Sequence, residues 1–307
     1  MRYPVTTPPE PPEWMKVRLK FDTPAESKSR EVKNLVEGSQ LKTVCEEASC
    51  PNLGHCWGLG TATFLVMGEV CTRRCGFCDI NTARPFALDP TEPDRLANTI
   101  QEMKLKHTVI TSVDRDDLKD CGSYHFARCI TATRDKSPDT SIEVLIPDFK
   151  GKDENLQRIW DAKPDIINHN VETVPSLFPT ICPQSNYQVS LDVIRKSAER
   201  GFLTKSGIIL GLGESVEEVK QVLRDLHENQ THLVTIGQYM QPTREHAPLA
   251  EYAPVSRFKE LKDYAYELGF LYVESGPLVR SSYHAGDALD ALLKKHGNSA
   301  MVRNSRS

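Results

Sequence analysis

Short apolar runs alternate along the chain with stretches whose apolar positions repeat every three to four residues. Residues 61–68, 107–112, 141–146, 165–168, 203–210, 232–236 and 271–274 read as strands, rich in Val, Ile, Leu and Thr. Helical patterns fall between them. Tyr187, Leu191, Ile194 and Ala198 share one helical face, as do Val219, Val222, Leu223 and Leu226. The second of these helices opens at Ser215, with Glu218 three residues on. That is the spacing of a capping box, in which each side chain takes the other residue's orphan amide. Strand–helix alternation predicts parallel strands joined by right-handed crossovers. Six or seven such units suit a barrel or partial barrel better than an open sheet, although periodicity alone does not decide. In a barrel the chemistry gathers at the C-terminal strand ends. Polar residues stand there: Thr111, Ser112 and Asp114; then Asn168, His169, Asn170 and Glu172; then Gln238, Tyr239 and Gln241.

Outside this repeat, residues 1–44 form an arm whose first part, with Pro4, Pro8, Pro9, Pro11 and Pro12, is expected to be extended or disordered. Residues 14–21 are expected to dock on the core, and 31–37 to form a short helix. After residue 275 come Gly286 and Asp287, a short helical pattern over 288–295, and a basic polar tail. Composition changes this picture little. The chain has 307 residues, 39% hydrophobic and 26% charged, with a net charge of −4. No basic surplus argues for nucleic acid, and no apolar run approaches a membrane span. The N-terminal residues lack a signal-peptide core and the pattern of a transit peptide. The expectation is a cytoplasmic protein, in which clustered cysteines bind metal or do chemistry rather than pair as disulfides.

The cysteines alter the picture most. Six of the nine lie between residues 45 and 78, in two triplets. Cys45, Cys50 and Cys56 follow C-x4-C-x5-C; Cys71, Cys75 and Cys78 follow C-x3-C-x2-C. Iron–sulfur clusters usually take four thiolates, so a triplet leaves one iron open to a substrate or cofactor. A zinc site would more often show C-x2-C pairs closing a four-ligand shell. A zinc- or disulfide-stapled domain is the bland alternative.

Cys71-Thr-Arg-Arg-Cys75-Gly-Phe-Cys78 resembles the cluster motif of radical S-adenosylmethionine (SAM) enzymes. The stretch from Thr43 to Trp57, holding the first triplet, resembles the auxiliary-cluster motif of the lipoyl synthase family, and the similarity runs from about Trp14 to Ala285. The resemblance implies an α/β fold: a partial (β/α)6 radical SAM barrel with N- and C-terminal extensions carrying an auxiliary iron–sulfur cluster. It divides the chain into an arm (1–44), an auxiliary-cluster segment (45–60), the barrel (61–275) and a C-terminal extension (276–307).

The same resemblance implies two [4Fe-4S] clusters. Cys71, Cys75 and Cys78 would hold the first, whose open iron chelates SAM. One electron then cleaves SAM to a 5′-deoxyadenosyl radical. Cys45, Cys50 and Cys56 would hold the second, with Ser282 of Arg280-Ser-Ser-Tyr283 as fourth ligand; an alkoxide binds such a cluster weakly, as suits one that must come apart. Phe77, Asn170, Glu172, Lys205, Gly207 and Gly211 fall at positions implied to shield the cluster or bind SAM. The two glycines also read simply as a strand-to-helix turn, and the polar residues as groups lining the barrel mouth.

The implied reaction inserts sulfur at C6 and C8 of an octanoyl group on a carrier lysine. It uses two SAM per lipoyl group, and the auxiliary cluster is the sulfur donor. Implied partners are octanoylated lipoyl carrier domains (2-oxoacid dehydrogenase E2 subunits or glycine-cleavage H protein), a ferredoxin or flavodoxin-type electron donor and a cluster-repair protein. Three departures stand out. His55 replaces a common Glu, and Thr180 and Cys182 occupy places where the family usually has arginines. Cys121, Cys129 and Cys182 show no ligand spacing and are expected to be buried apolar groups. Another sulfur-inserting radical SAM activity (methylthiotransferase-like or biotin-synthase-like) and a non-catalytic cluster carrier are the remaining alternatives.

Overall fold

The apolar runs become strands with small adjustments at their ends. The computed structural model describes residues 3–4, 7–13, 24–47, 50, 52–58, 62–282 and 286, with backbone alone for 24–29, 31 and 58. The expected docking segment 14–21, residue 61, Tyr283 and the helix expected at 288–295 lie outside the described residues. The N-terminal part holds α1 (Pro24–Gly38), β1 (Lys42–Thr43), α2 (Val44–Glu47) and α3 (Leu53–Gly58). Then come β2 (Thr63–Val66) and a two-stranded ribbon of β3 (Val70–Cys71) and β4 (Asn81–Thr82). From there helices and strands alternate. They are α4 (Glu92–Met103), β5 (His107–Ser112), α5 (Ser123–Lys136), β6 (Ser141–Leu145), α6 (Asp153–Asp161) and β7 (Ile166–Asn168), followed by the short α7 (Phe178–Ile181). The series ends with α8 (Tyr187–Glu199), β8 (Leu203–Leu210), α9 (Val216–Glu228), β9 (Leu233–Gln238), α10 (Val255–Leu268) and β10 (Tyr272–Ser275).

The main sheet has the order β1-β2-β5-β6-β7-β8-β9-β10. From β2 onward every neighbour is parallel. β1 runs antiparallel to β2, with Lys42 opposite Leu65 and Thr43 opposite Phe64. Successive strands being neighbours, with helices between them, is a partial (β/α)6 barrel in which, among the described residues, β10 and β1 do not pair. Capping residues punctuate it. Ser215 and Glu218 form the expected capping box of α9, and Asn186 Oδ1 accepts the Val189 amide at the start of α8. α10 ends at Gly269 in the left-handed region, φ 111°.

The two faces of the sheet differ in chemistry. On the outer face Phe64, Val66, Ile110, Ile142 and Val144 pack against Leu96, Ile100, Phe126, Ile130, Leu156 and Ile159 of α4, α5 and α6. Ile208, Leu210, Val234 and Ile236 pack against apolar residues of α8, α9 and α10. Each fully buried Leu, Ile or Phe contributes roughly 1.5–3 kcal/mol, so these layers hold the barrel together. The inner face is polar: His107, Glu143, Asn168 and Lys205 meet there in direct contact. The chain after β10 turns back over this inner face. The carbonyl of Val279 sits where a side chain on Gly237 would be, and Gly286 lies against His107. None of the described helices is long and apolar enough to cross a membrane.

Candidate functional site

β2 is followed by Met67 and Gly68, both in the left-handed region at φ 70° and 92°. This reversal feeds the chain into β3 and the loop holding Cys71, Cys75 and Cys78. The strained residue is clamped. Its amide donates to Glu92 Oε2 at 2.9 Å, and the same oxygen meets His125 Nε2 at 2.6 Å. Glu92, His125 and Cys129 bring three potential metal-ligand atoms within 4.8 Å of one another. The Glu92 oxygen is already committed to the Met67 amide and to His125, so these contacts account for the group.

The loop itself is tied at every step. Cys71 Sγ accepts the amides of Arg73 and Asp114 at 3.4 and 3.3 Å. Gly76 donates to the carbonyl of Ile181 and accepts from the amide of Ala247, each at 2.7 Å. His246 Nε2 lies 3.0 Å from the Cys78 carbonyl while its Nδ1 meets Thr243 Oγ1. Arg73, 5% exposed, spans Asp116 and Asp148 with four contacts of 2.6–3.0 Å.

The three thiols are near neighbours: Cys75 bears electrostatically on Cys71, and both bear on Cys78. Burial pushes Cys71 and Cys78 up to about 12. Cys75 is raised well above its ordinary value by a hydrogen bond with Cys182 and by burial. Cys182, which sequence spacing left without a role, therefore lies against a motif cysteine. Three neighbouring sulfur donors, Cys71 buried and Cys75 and Cys78 half-buried, fit an iron–sulfur cluster, whose irons supply the positive charge that thiolates need there. Phe77 packs beneath the loop in an apolar cluster with Phe178, Ile181, Leu212 and Tyr239.

Next to this triplet the barrel mouth is polar and under-satisfied. Glu172, at φ 65°, is stitched to β8 by bonds to Gly207 and Ile209 of 3.0 and 2.8 Å. Desolvation pushes its carboxyl up to about 7, opposed in part by Asn170. Its charge is felt at Cys75 and Cys78, so it borders the cluster space. Asn170 Nδ2 donates to Ser281 Oγ at 2.6 Å. Ser112 Oγ, Asn168 Oδ1, His169 Nε2 and Asn170 Oδ1 are buried without a partner among the described residues. A polar, cationic ligand such as SAM fits a space bordered by a carboxyl and by orphaned donors and acceptors.

The other sequence-predicted positions divide. Gly207 lies inside β8 rather than at its end. A Cβ there would come within 2.7 Å of Asn170 Oδ1 and 2.9 Å of Thr235 Oγ1, so its absence makes room for Asn170. Gly211, φ 104°, sits at the turn, where a Cβ would meet Gln238 Nε2 at 2.3 Å and the Glu251 carbonyl at 2.6 Å. Lys205 lies deeper in the lumen, 2.9 Å from Glu143 Oε1; His107 approaches the other oxygen at 3.7 Å and Asn168 Nδ2 donates at 3.2 Å. Burial alone would raise the Glu143 carboxyl; Lys205 and His107 outweigh it and hold it at about 2.

The first triplet lies at the other end of β2. Cys45 is buried on α2, where burial raises its thiol despite the Thr63 amide hydrogen-bonded to it. Cys50 donates its amide to the Cys45 carbonyl at 3.1 Å, and Cys56 donates to Asn52 at 2.9 Å. Asn52 Nδ2 donates in turn to the Leu278 carbonyl at 2.5 Å, 226 residues away. Arg280 feels the charge of Cys50, and Ser282 is half-buried just beyond it. The fold thus brings the 278–282 segment to the first triplet.

A partial barrel with a three-cysteine loop after its first parallel strand defines a radical SAM enzyme, and the Radical SAM superfamily model matches residues 65–226. The backbone is similar to Streptococcus suis SuiB bound to S-adenosylmethionine (TM-score 0.56, 11% identity, covering 73% of this chain and 53% of that one). It is also similar to HydG, a maturase of the [FeFe]-hydrogenase (TM-score 0.53, 15% identity, covering 86% and 72%). At such identity these likenesses show the fold. Sequence relatives are far nearer. The lipoyl synthase of Leptospira interrogans serogroup Icterohaemorrhagiae serovar Lai (strain 56601) is 51% identical over 281 residues, 92% of this chain and 93% of that one. That of Leptospira biflexa serovar Patoc (strain Patoc 1 / Ames) is 53% identical over 276 residues, 90% of each. That of Coxiella burnetii (strain RSA 331 / Henzerling II) is 51% identical over 282 residues, 91% and 88%. The chain belongs to the lipoyl synthase family. It is a sulfur-inserting enzyme that uses SAM and [4Fe-4S] clusters, acts on a lipoyl carrier protein and draws on a redox partner.

Proposed function

We propose that the two triplets hold the two clusters of one sulfur-insertion reaction, on an octanoyl-lysine that reaches between them through the barrel lumen. Cys71, Cys75 and Cys78 hold the SAM-binding cluster; Cys45, Cys50, Cys56 and Ser282 hold the auxiliary one. A single observation carries this reading. Cys45 touches Thr63, the first residue of β2, and the second triplet follows the last. Three steps of ~3.3 Å from Thr63 to Val66 separate the two ends by about 10 Å, a span an extended acyl chain can bridge.

SAM and the clusters supply hydrogen-atom abstraction at unactivated carbons and the sulfur itself, chemistry that no side-chain acid or base provides. The protein's part is positioning. Glu172 offers a carboxyl to the ammonium end of SAM, Asn170 and Ser112 offer hydrogen bonds, and Gly207 keeps the space open for Asn170. The buried loop excludes water from the reacting carbons. Asn170 is bonded to Ser281, the neighbour of Ser282, so the SAM pocket and the auxiliary segment share a contact.

The carrier is an octanoylated domain of a 2-oxoacid dehydrogenase E2 subunit or a glycine-cleavage H protein. The donor is of ferredoxin or flavodoxin type, a repair protein restores the spent cluster, and the setting is the cytoplasm. The division into arm (1–44), auxiliary segment (45–60), barrel (61–275) and C-terminal extension (276–307) belongs to the same proposal. A Cys45→Ala variant tests it. It should retain reductive SAM cleavage and lose all sulfur transfer to an octanoyl-lysyl peptide, read by mass spectrometry. Sulfur transfer at the wild-type level would remove Cys45 from the donor site.

A further inference from the structure

Around the loop of Cys71, Cys75 and Cys78 the carboxylates are held by buried arginines or backbone amides, the exposed Asp117 among them, while five further cations reach solvent. Arg73 binds Asp116 and Asp148 from within the fold, with Asp114 at 3.3 Å. Arg115, 2% exposed, grips both oxygens of Asp117 at 2.9 Å. Asp120 is taken by the amides of Gly122 and Tyr124. Arg74, Arg84, Lys119, Lys150 and Lys152 are exposed. Among the described residues, Lys150 is the one of these five with an ion pair, 3.6 Å from Asp116. The exposed Asp89, Asp117 and Asp153 of the same segments are paired with Arg95, Arg115 and Lys196, so most of the exposed charge left without an ion pair here, among the described residues, is positive.

An aromatic ring stands in the same face. Phe86 is 86% exposed, although its carbonyl is fastened to Arg115 Nη2 at 3.0 Å. The backbone is thus tied down while the ring stays in solvent. The face is continuous with the cluster loop. Thr82 Oγ1 donates to the Arg73 carbonyl at 3.2 Å, and the Ala83 amide to that of Cys71 at 3.3 Å. Lys150 Nζ donates to the carbonyl of Asp116 at 3.2 Å.

We propose that this face docks a small acidic one-electron carrier protein, with Phe86 as the apolar anchor inside a ring of cations. The proposal rests on the assignment of Cys71, Cys75 and Cys78 as cluster ligands, since a carrier must bring its redox group near its acceptor. A rim of like charge steers an oppositely charged protein and speeds encounter. One exposed aromatic among charges is the anatomy of a small, transient interface. With a flavin carrier, the anionic hydroquinone gives one electron to the cluster and becomes the neutral semiquinone; no bond in this chain forms or breaks.

Flavodoxin is the probe. Its Kd for the iron-loaded protein is measured by calorimetry at low and high salt, for wild type, Arg84→Glu/Lys119→Glu and Phe86→Ala. The double charge reversal should weaken binding by about tenfold or more and flatten the salt dependence. Phe86→Ala should weaken it by about threefold or more. SAM cleavage driven by dithionite, which needs no docking, should stay within about twofold of wild type while flavodoxin-driven cleavage falls with affinity. An unchanged Kd in both variants would overturn the proposal. So would a double reversal that weakens binding of an octanoyl-carrier domain and spares flavodoxin. Failure of wild type to cleave SAM with dithionite would strike the cluster assignment instead, and the binding comparison would still decide the docking.

Discussion

Replacing Lys205 by Met should strand the Glu143 charge in the barrel. Glu143 is fully buried and Lys205 is 2% exposed, so solvent screens little of their 2.9 Å contact. The carboxyl stands at about 2 in the folded protein against an ordinary 4.5. At ~1.36 kcal/mol per decade of acidity, this difference corresponds to about 3 kcal/mol of stability. Removing one partner of a buried pair costs roughly 3–5 kcal/mol by the same logic. The sign follows from the depressed value. The contribution is complete above pH 4.5 and is lost as pH falls from there toward 2. Urea unfolding at about pH 8, well above the range in which the Glu143 carboxyl titrates, should show Lys205→Met destabilised by about 3 kcal/mol. Lys205→Met/Glu143→Gln should recover most of that loss, because no charge is left unpaired. A loss below about 1 kcal/mol in the single variant, or no recovery in the double, would refute the reasoning.

Two further outcomes follow from the mouth of the barrel. Glu172, whose carboxyl is pushed up to about 7 by desolvation, destabilises the apo fold increasingly as pH rises from 4.5 to 7, where the unfolded chain is ionised and the folded one is not. Glu172→Gln should therefore unfold at higher urea than wild type above pH 7, and the gap should close below pH 4.5; a pH-independent gap would contradict the assignment. Gly211→Ala places a Cβ 2.3 Å from Gln238 Nε2 at φ 104°, and should cost at least about 1–3 kcal/mol in the same assay.

Much of this architecture was legible because buried parallel strands are continuous apolar runs. Residues 107–112 and 203–210 form strands with the bounds read from sequence, and the Ser215–Glu218 spacing produced its capping box. The short helix expected over 31–37 extends back to Pro24, where no apolar periodicity announced it. The two-residue strands β1, β3 and β4 are too short to carry a period. The two triplets stood out as candidates because their cysteines lie close in sequence. Glu143 and His107 were missed, yet a signal existed. With Lys205 they are polar residues in strands covered on both faces, so they must meet one another or a ligand. His246 at Cys78 and Cys182 at Cys75 left no such trace, since contacts across more than a hundred residues have no spacing to read.

The central claim is that the auxiliary cluster on Cys45, Cys50 and Cys56 is consumed as the sulfur source. The direct test is to count iron and sulfide in the anaerobically reconstituted protein before and after turnover with SAM and an octanoyl-lysyl peptide. About eight irons, two four-iron clusters, should fall to about four as the peptide gains two sulfurs. Iron holding steady while the peptide gains sulfur would contradict the claim and place the sulfur source outside the chain.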